Sequence, residues 1–140
     1  MQITRQTEYA MQTLLELSRY PFGTVLSARM ISKNQNVPEV FLKKTVQLLA
    51  RAGLVATQRG SQGGVRLAVP AEDITMARAL VAIEGQMYLN ACLADSHNCP
   101  NKQTCSFRPI LKRAQKAMLA ELKKETFADI AAVNKEEKTM

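Results

Sequence analysis

Apolar side chains recur along the first third of the chain at the spacing of amphipathic helices. Between residues 4 and 20, Ala10, Leu14 and Leu17 fall on one helical face, with Met11 and Leu15 beside them. The Pro-Phe-Gly run at residues 21–23 ends this pattern. A first helix is therefore predicted over about residues 4–20.

Two shorter helices are predicted next, joined by a tight turn at residues 36–38. Ser27 is a good N-cap for a helix over 28–34, and Gly53 is a good C-cap for a helix over 38–52. The buried side of the later helix is marked by Leu42, Val46 and Leu49. Its opposite side carries polar and basic residues: Lys43, Lys44, Gln47 and Arg51. Two short helices with a basic outer face on the second predict a helix-turn-helix.

After Gly53 the pattern changes from helical to extended. The runs at residues 54–59 and 65–69 are short, contain β-branched side chains and are bounded by turn residues. The glycine-rich segment 60–64 between them can turn sharply, so a β-hairpin is predicted. A glycine-rich loop can also cradle a nucleotide, but this one lacks the Gly-Lys-Ser/Thr ending and the strand-loop-helix context. A hairpin directly after a helix-turn-helix predicts a winged helix.

The second half contains two further helical patterns separated by a polar stretch. A helix capped by Thr75 or Asp73 is predicted to end near Glu84, before Gly85. A longer helix is predicted over 109–124, with a narrow apolar stripe formed by Leu111, Ala114, Met118 and Leu122. Such a stripe is either core or the seam of a dimer.

The predicted fold is mainly α with a small β-hairpin wing: a winged helix-turn-helix followed by a long helix. The DNA-binding head covers residues 1–70. Residues 71–85 form a connecting helix and 86–108 a cysteine loop. Residues 109–132 form the long helix and a last apolar turn, and 133–140 a flexible tail.

The length of the chain indicates a single domain, and its cysteine content and lack of targeting signals indicate a reducing compartment. The chain has 140 residues, of which 46% are hydrophobic. No apolar stretch approaches the roughly 20 residues that span a bilayer, and the N-terminus lacks the layout of a signal peptide. We therefore expect a cytoplasmic protein with no membrane partner. The odd number of cysteines, three, argues against a simple disulfide framework.

The net charge of +7 is concentrated in the first half of the chain. Residues 1–66 hold nine Lys and Arg against three Glu, whereas residues 67–140 hold ten against nine acidic residues. A basic half beside a nearly neutral one is typical of a nucleic-acid-binding domain joined to a neutral domain. The alternative is a solvated basic surface without a partner.

All three cysteines lie between residues 92 and 105, in a polar stretch that also holds the only histidine, His97. The spacing is Cys92-x6-Cys99-x5-Cys105, wider than the Cys-x2-4-Cys pairs of zinc sites. Wide spacing favours an iron–sulfur cluster held by thiolates. The fourth ligand is then His97 or a carboxylate from elsewhere, including a second subunit. Two alternatives remain open: three free thiols, and zinc with His97.

The sequence gives little support to catalysis. The chain has one histidine and no recognisable pair of a nucleophile and a general base, so no set of residues for acid–base catalysis can be identified. We therefore expect that the protein is not an enzyme and has no small-molecule substrate. A redox enzyme or electron carrier using the cluster would leave the winged helix unexplained.

These motifs together resemble the Rrf2 family of bacterial winged-helix regulators, of the IscR/NsrR type that senses through an iron–sulfur cluster. The resemblance covers nearly the whole chain, from the first residues to about Ile130. The combination of an Arg-Gly-x-x-Gly-Gly wing with three spaced cysteines is specific. The matching stretches are Ile3-Thr4 with Tyr9-Ala10, Phe41-Leu42-Lys43-Lys44, Leu48 with Gly53-Leu54-Val55, Arg59-Gly60 with Gly63-Gly64 and Leu67, and the cysteine loop.

The resemblance implies a homodimer on palindromic duplex DNA. The long helix at 109–124 would then be the dimerisation helix and cross its partner, and the first helix of the DNA-binding head would also pack at the dimer. The second motif helix would enter the major groove and the wing the adjacent minor groove. Lys43 departs from an acidic residue at this position in a well-known cluster-sensing member, and a cation here favours guanine or phosphate. The expected DNA contacts are Ser27, Lys43, Lys44, Gln47, Arg51, Arg59, Ser61, Gln62, Gly63 and Gly64.

By the same resemblance, Cys92, Cys99 and Cys105 are the cluster ligands, for a 2Fe–2S or a 4Fe–4S cluster. The first gap is x6 where x5 is expected. Glu8 stands where carboxylate-using members have their acid and is the preferred fourth ligand, from the partner subunit, with His97 second. The competing interpretation of Glu8 is a solvated acid near a helix start.

The sequence therefore predicts a dimeric regulator sensing iron–sulfur status, redox state or nitric oxide. The closest rival is a cluster-free member, controlled by thiol oxidation or by a protein partner as in cysteine-metabolism repressors.

Overall fold

The computed structural model describes residues 3–90, 93 and 105–139, with side chains described through 133. Cys92, His97 and Cys99 lie outside the described residues. The elements are α1 (Arg5–Ser18), α2 (Ala28–Gln35), α3 (Glu39–Arg51), β1 (Val55–Gln58), β2 (Gly64–Leu67), a 3-10 helix (Ala71–Asp73), α4 (Met76–Glu84), α5 (Arg108–Leu122) and α6 (Phe127–Thr139).

Helix α1 is the centre of the packing, because α2, α3, α4 and α6 all contact it. Thr4 is its N-cap, and the Thr4 side chain accepts a hydrogen bond from the backbone N–H of Thr7 at 3.3 Å. The predicted apolar face of Ala10, Leu14 and Leu17 is buried. The helix therefore begins one residue later and ends two residues earlier than the sequence pattern indicated.

Helices α2 and α3 form the predicted helix-turn-helix. The Ser27 side chain caps α2 by accepting from the backbone N–H of Met30 at 3.1 Å. Asn36 ends α2 in the left-handed conformation, with φ of 55°, and Val37 after it is buried. Pro38 is the N-cap of α3 rather than its first helical residue, and Gly53, with φ of 81°, follows the C-cap residue Ala52.

Strands β1 and β2 form an antiparallel hairpin, with Val55 opposite Leu67 and Gln58 opposite Gly64. Both strands are shorter than predicted. Leu26, just before α2, adds a bridge to Val65 of β2: the Leu26 N–H donates to the Val65 carbonyl at 2.9 Å, and the Val65 N–H donates back at 2.8 Å. The hairpin is thereby attached to the start of the helix-turn-helix.

Helix α4 begins after Thr75, whose side chain accepts from the backbone N–H of Arg78 at 3.1 Å. Of the two caps considered, Thr75 is therefore the one used. Phe127 at the start of α6 donates its N–H to the Ile74 carbonyl at 2.9 Å, which joins the two helix starts.

The core lies between α1, the helix-turn-helix, the hairpin and the starts of α4 and α6. Its largest members with almost no exposed surface are apolar: Phe127, Leu14, Ile31, Leu42, Leu49, Leu54, Ile74 and Leu80. Phe127 was expected in a last apolar turn, but it begins a helix of 13 residues. The helix continues through Thr139, into the segment 133–140 that was predicted to be a flexible tail; the flexibility of that segment stays a prediction.

Helix α5 has no buried residue, in contrast to α1, α3 and α4. Its contacts include a hydrogen bond from the Leu89 N–H to the Gln115 side-chain oxygen at 3.0 Å. Within this chain the apolar stripe of α5 is therefore not core. The described helices include none that is both long and apolar enough to cross a bilayer.

Candidate nucleic-acid interface and cysteine loop

The outer face of α3 is built by helical spacing. Leu42, Thr45, Val46 and Leu49 point into the core, and the Thr45 hydroxyl donates to the Phe41 carbonyl at 2.9 Å. The same period places the predicted DNA-contact residues Lys43, Lys44, Gln47 and Arg51 outside, and all four are exposed. The structure thus brings these four side chains together on one helix surface.

The wing presents three more exposed candidates: Arg59, Ser61 and Gln62. The N–H of Gly63 donates to the Gly60 carbonyl at 3.0 Å, which closes the turn. Ser27 is exposed as well and lies next to Leu26, the residue bridged to the hairpin. The loop and the start of α2 therefore belong to one connected surface.

Gly63 and Gly64, predicted as DNA contacts, have a steric reason for being glycine. A Cβ on Gly63 would overlap the backbone carbonyl of Gln58, and a Cβ on Gly64 would overlap the backbone carbonyl of Leu26. Both obstacles are main-chain atoms, which cannot turn aside as a side chain can. Close approach of two backbones therefore accounts for both glycines whether or not they touch DNA.

The cations of this surface belong to none of the ion pairs found in the described part of the chain. Ion pairs in the described part of the chain join Arg5 to Glu8, Arg19 to Glu16 and Lys124 to Glu121. None of these involves Lys43, Lys44, Arg51 or Arg59. Exposed, unpaired cations are the groups that neutralise DNA phosphates and release counterions.

Two apolar residues at the start of α3 were not among the predicted contacts. Val40 is 76% exposed and Phe41 is 54% exposed. The Phe41 ring stacks on Tyr9 of α1, with ring centroids 6.0 Å apart and planes inclined by 21°. The sequence could have indicated that Val40 is exposed, because Val40 does not share the helical face of the buried residues Leu42, Val46 and Leu49.

A buried carboxylate fixes α1 against the end of α2. Glu16 is 2% exposed and accepts hydrogen bonds from the side chains of Asn34 at 2.8 Å and Gln35 at 2.6 Å. Arg19 lies 3.3 Å from the same carboxylate. Both carboxylate oxygens of Glu16 therefore accept a hydrogen bond, which compensates the cost of burying this charge. Sequence analysis missed this network, since its partners are far apart in the chain.

Glu84, the last residue of α4, holds the start of α1. Its Oε1 atom accepts from the Thr4 hydroxyl at 2.6 Å, from the Thr4 N–H at 3.2 Å and from the Thr7 hydroxyl. These hydrogen bonds, the side-chain bonds from Thr4 and Thr7 first, lower the pKa of Glu84 below its usual value. Because Glu84 immediately precedes the segment leading to the cysteines, this contact connects the head to that segment.

Of the predicted cluster ligands, Cys105 and Glu8 are described. Cys105 is half-buried, three residues before the start of α5. Glu8 is exposed, and its nearest charged neighbour is Arg5, at 3.9 Å. It borders an apolar groove of about 310 Å³ between α1, α4 and α6, lined by Met11, Leu15, Met76, Phe127 and Ile130 among others. Among the described residues no three His, Cys, Asp or Glu side chains converge.

The chain is similar to known proteins along almost its whole length. The sequence profile of the Rrf2 family, described as iron-dependent transcriptional regulators, matches residues 3–133. Protein aau3 of Rhizobium meliloti is 35% identical over 93% of this chain and 84% of that protein. Protein rrf2 of Nitratidesulfovibrio vulgaris is 29% identical over 93% of this chain and 87% of its own length.

Solved structures agree with the winged-helix fold. CymR (YrzC), the global cysteine regulator of B. subtilis, superposes with a TM-score of 0.77 at 25% identity, covering 95% of this chain and 98% of that chain. IscR of T. potens superposes with a TM-score of 0.76 at 24% identity, covering 100% and 92%. These matches and the family profile confirm the predicted fold and the predicted resemblance: the chain belongs to the Rrf2 family of iron-dependent transcriptional regulators, DNA-binding proteins rather than enzymes.

Proposed function

We propose that this protein is a homodimeric transcription regulator that senses iron–sulfur status, redox state or nitric oxide through an iron–sulfur cluster. The observation that carries the proposal is the concentration of all three cysteines in one polar stretch before α5, in a chain whose family is described as iron-dependent. The proposed site of action is the cytoplasm, where palindromic operator DNA and reduced thiols are both present.

Helix α5 supports the dimer. An isolated helix of about 15 residues is marginal in water, and α5 has that length with no buried residue. Its Ile110 is 54% exposed, and the stripe residues Leu111, Met118 and Leu122 keep part of their surface accessible. A second copy of α5 packed on this stripe would bury that surface and stabilise both helices. One half-site of a palindrome would then face each α3 and wing.

Cys92, Cys99 and Cys105 are the proposed ligands, for a 2Fe–2S or a 4Fe–4S cluster. Glu8 of the partner subunit is the proposed fourth ligand, and His97 is the second choice. The donor set fits the group, since thiolates are the usual ligands of cluster iron. Glu8 is available as well, because an exposed pair at 3.9 Å holds a carboxylate only weakly. When bound, the cluster would supply redox- and nitric-oxide-sensitive chemistry.

The position of Glu8 supports a route from ligand to DNA. Glu8 is followed by Tyr9, whose ring stacks on Phe41 at the start of α3. A carboxylate is a weaker partner for cluster iron than a thiolate, so Glu8 would be the ligand most easily released. A shift of α1 on release of Glu8 would then move the end of α3 that carries Val40 and Phe41, as a population shift between two head positions.

Anaerobic purification with an absorption spectrum and an iron and sulfide count tests the cluster. We expect broad visible absorbance with matched iron and sulfide, and loss of both in Cys105→Ala. A colourless, iron-free protein with three titratable thiols, still colourless after reconstitution, would contradict the cluster proposal and leave DNA binding untouched.

Binding of operator DNA to cluster-containing and cluster-free protein tests Glu8. In Glu8→Ala we expect some cluster to remain, but the difference in affinity between the two forms to shrink. Glu72→Ala is the matched control, since Glu72 is an exposed acid outside α1. An undiminished difference in Glu8→Ala would exclude Glu8 as the coupling ligand.

A second candidate is a cluster-free regulator controlled by thiol oxidation or by a protein partner. It is favoured by the match to B. subtilis CymR, described as a global cysteine regulator, and by a match to an oxidised form of S. aureus CymR at a TM-score of 0.70. The iron and sulfide count separates the two candidates. Thiol oxidation would then be expected to change DNA affinity without iron.

A further inference from the structure

Val40 belongs to the basic face of α3 by its helical position. Residues three, four, seven and eleven positions later lie on the same side of a helix. Counted from Val40, these positions are occupied by Lys43, Lys44, Gln47 and Arg51. A valine that is 76% exposed therefore stands at the N-terminal end of this exposed and mostly basic row.

An exposed valine alone needs no explanation, since single apolar residues are common on protein surfaces. Its location is what matters. The first turn of a recognition helix is the part that contacts base edges in the major groove. The neighbouring Phe41 is held against Tyr9 by ring stacking, which fixes the first turn of α3 on α1.

In the major groove, an exposed valine side chain can make an apolar contact with only one kind of base group. Valine has no hydrogen-bonding group, and the apolar group that bases present in the major groove is the C5-methyl of thymine. Valine is also stiff at χ1, so little side-chain entropy is lost when it is fixed in a contact.

We propose that Val40 determines part of the operator sequence by selecting a thymine through contact with its 5-methyl group. Lys43 and Lys44, on the same face, bind an adjacent guanine or the phosphates. This inference rests on the DNA-binding activity of the family and on α3 as the recognition helix, and it is independent of the proposed cluster.

The test begins with the duplex that the wild-type protein selects from randomised DNA, with and without cluster. Each thymine of that duplex is then replaced singly by deoxyuridine, which removes only the methyl group. At one thymine in each half-site we expect wild-type affinity to fall about fourfold at fixed salt, the value of one buried methyl group. The same replacement should not weaken binding by Val40→Ala.

Val133→Ala is the matched control, since Val133 is also an exposed valine but lies on α6 rather than on α3. It should respond to deoxyuridine as the wild type does. Unchanged thermal unfolding of Val40→Ala would show that the fold is intact, as expected for a side chain so exposed. Selection repeated with Val40→Asn should replace thymine by adenine at that position, because asparagine pairs bidentately with adenine.

The proposal is overturned if no deoxyuridine replacement weakens wild-type binding, or if every replacement weakens Val40→Ala equally. Duplex binding without sequence preference would overturn it together with the assignment of α3. Neither result bears on the proposed cluster, whose presence is tested separately by the iron and sulfide count.

Discussion

The ring of Tyr9 on α1 stacks on the ring of Phe41 on α3, with centroids 6.0 Å apart. This pair joins the helix that carries Glu8 to the exposed first turn of the recognition helix. Offset aromatic pairs contribute about 0.5–1.5 kcal/mol beyond their area burial. A double-mutant cycle of Tyr9→Leu and Phe41→Leu, measured by urea unfolding, should give a coupling energy in this range.

Phe22→Leu provides the control for this cycle, because Phe22 is exposed and is not the ring that stacks on Tyr9. Its effect should add to that of Tyr9→Leu within about 0.5 kcal/mol. Simple additivity of Tyr9→Leu and Phe41→Leu would mean that the two rings do not interact in solution.

Glu84→Gln should lower the free energy of unfolding at neutral pH, and this loss should become smaller at acidic pH. The pKa of Glu84 is lowered in the folded protein by hydrogen bonds from Thr4 and Thr7, so the carboxylate stabilises the fold above its unfolded pKa. That contribution is lost as the pH falls through the lowered folded pKa. Unfolding free energies of wild type and variant should therefore differ at pH 6–8 and converge below about pH 4.

Glu72→Gln is the comparison for Glu84, since Glu72 is also an exposed acid. Its difference from wild type should be small at every pH. A pH-independent difference for Glu84→Gln would show that shape rather than charge matters at that position.

Glu16→Ala should destabilise the protein by about 3 kcal/mol, because it leaves the side chains of Arg19, Asn34 and Gln35 without their acceptor. Chemical unfolding measures this loss directly. Glu72→Ala, at an exposed position, should stay within about 0.5 kcal/mol of wild type. A loss below about 1 kcal/mol for Glu16→Ala would mean that water replaces the carboxylate at little cost.

Gly64→Ala separates the steric role of this glycine from a role in DNA binding. The new Cβ would overlap the backbone carbonyl of Leu26, so we expect a loss of about 1–3 kcal/mol in unfolding free energy and weaker DNA binding. Ser61→Ala in the exposed turn should leave unfolding nearly unchanged. Normal stability with weak DNA binding in Gly64→Ala would instead indicate that the glycine contacts DNA.

Met118→Glu should convert the proposed dimer to a monomer, because it places a charge in the apolar stripe of α5. Sedimentation equilibrium should give half the wild-type mass, and circular dichroism should show reduced helix content, since an unpartnered α5 is marginal. Lys116→Glu, at an exposed position of the same helix, should remain dimeric. A dimeric Met118→Glu protein would place the interface elsewhere.

Much of the fold follows from local sequence signals. The apolar period of α1, the Ser27 and Thr75 caps, the Gly53 stop and the glycine-rich turn each act over a few residues, and the structure confirms them. The main error concerned α6. Two apolar residues followed by a polar segment suggested only a last turn, whereas packing of Phe127 and Ala131 against the core stabilises the start of a full helix.

The exposed basic surface could also be predicted, because the spacing that buries Leu42, Val46 and Leu49 places Lys43 and Lys44 outside. The proposed cluster ligands Cys92, Cys99 and His97 lie outside the described residues and stay predictions. Glu8 and Cys105 are placed by the structure, but their role as ligands stays a prediction as well.

The sequence by itself determined helices α1 to α5, the helix-turn-helix, the wing and the family, because periodicity, caps and turn residues act locally. Only the tertiary structure decided which distant groups meet. Glu84 contacts Thr4 across 80 positions of sequence, and Glu16 contacts Gln35 across 19. Tyr9 likewise meets Phe41 only because α1 packs on α3. These contacts depend on how whole helices pack, since a side chain's local sequence does not specify the face of another element that will lie against it.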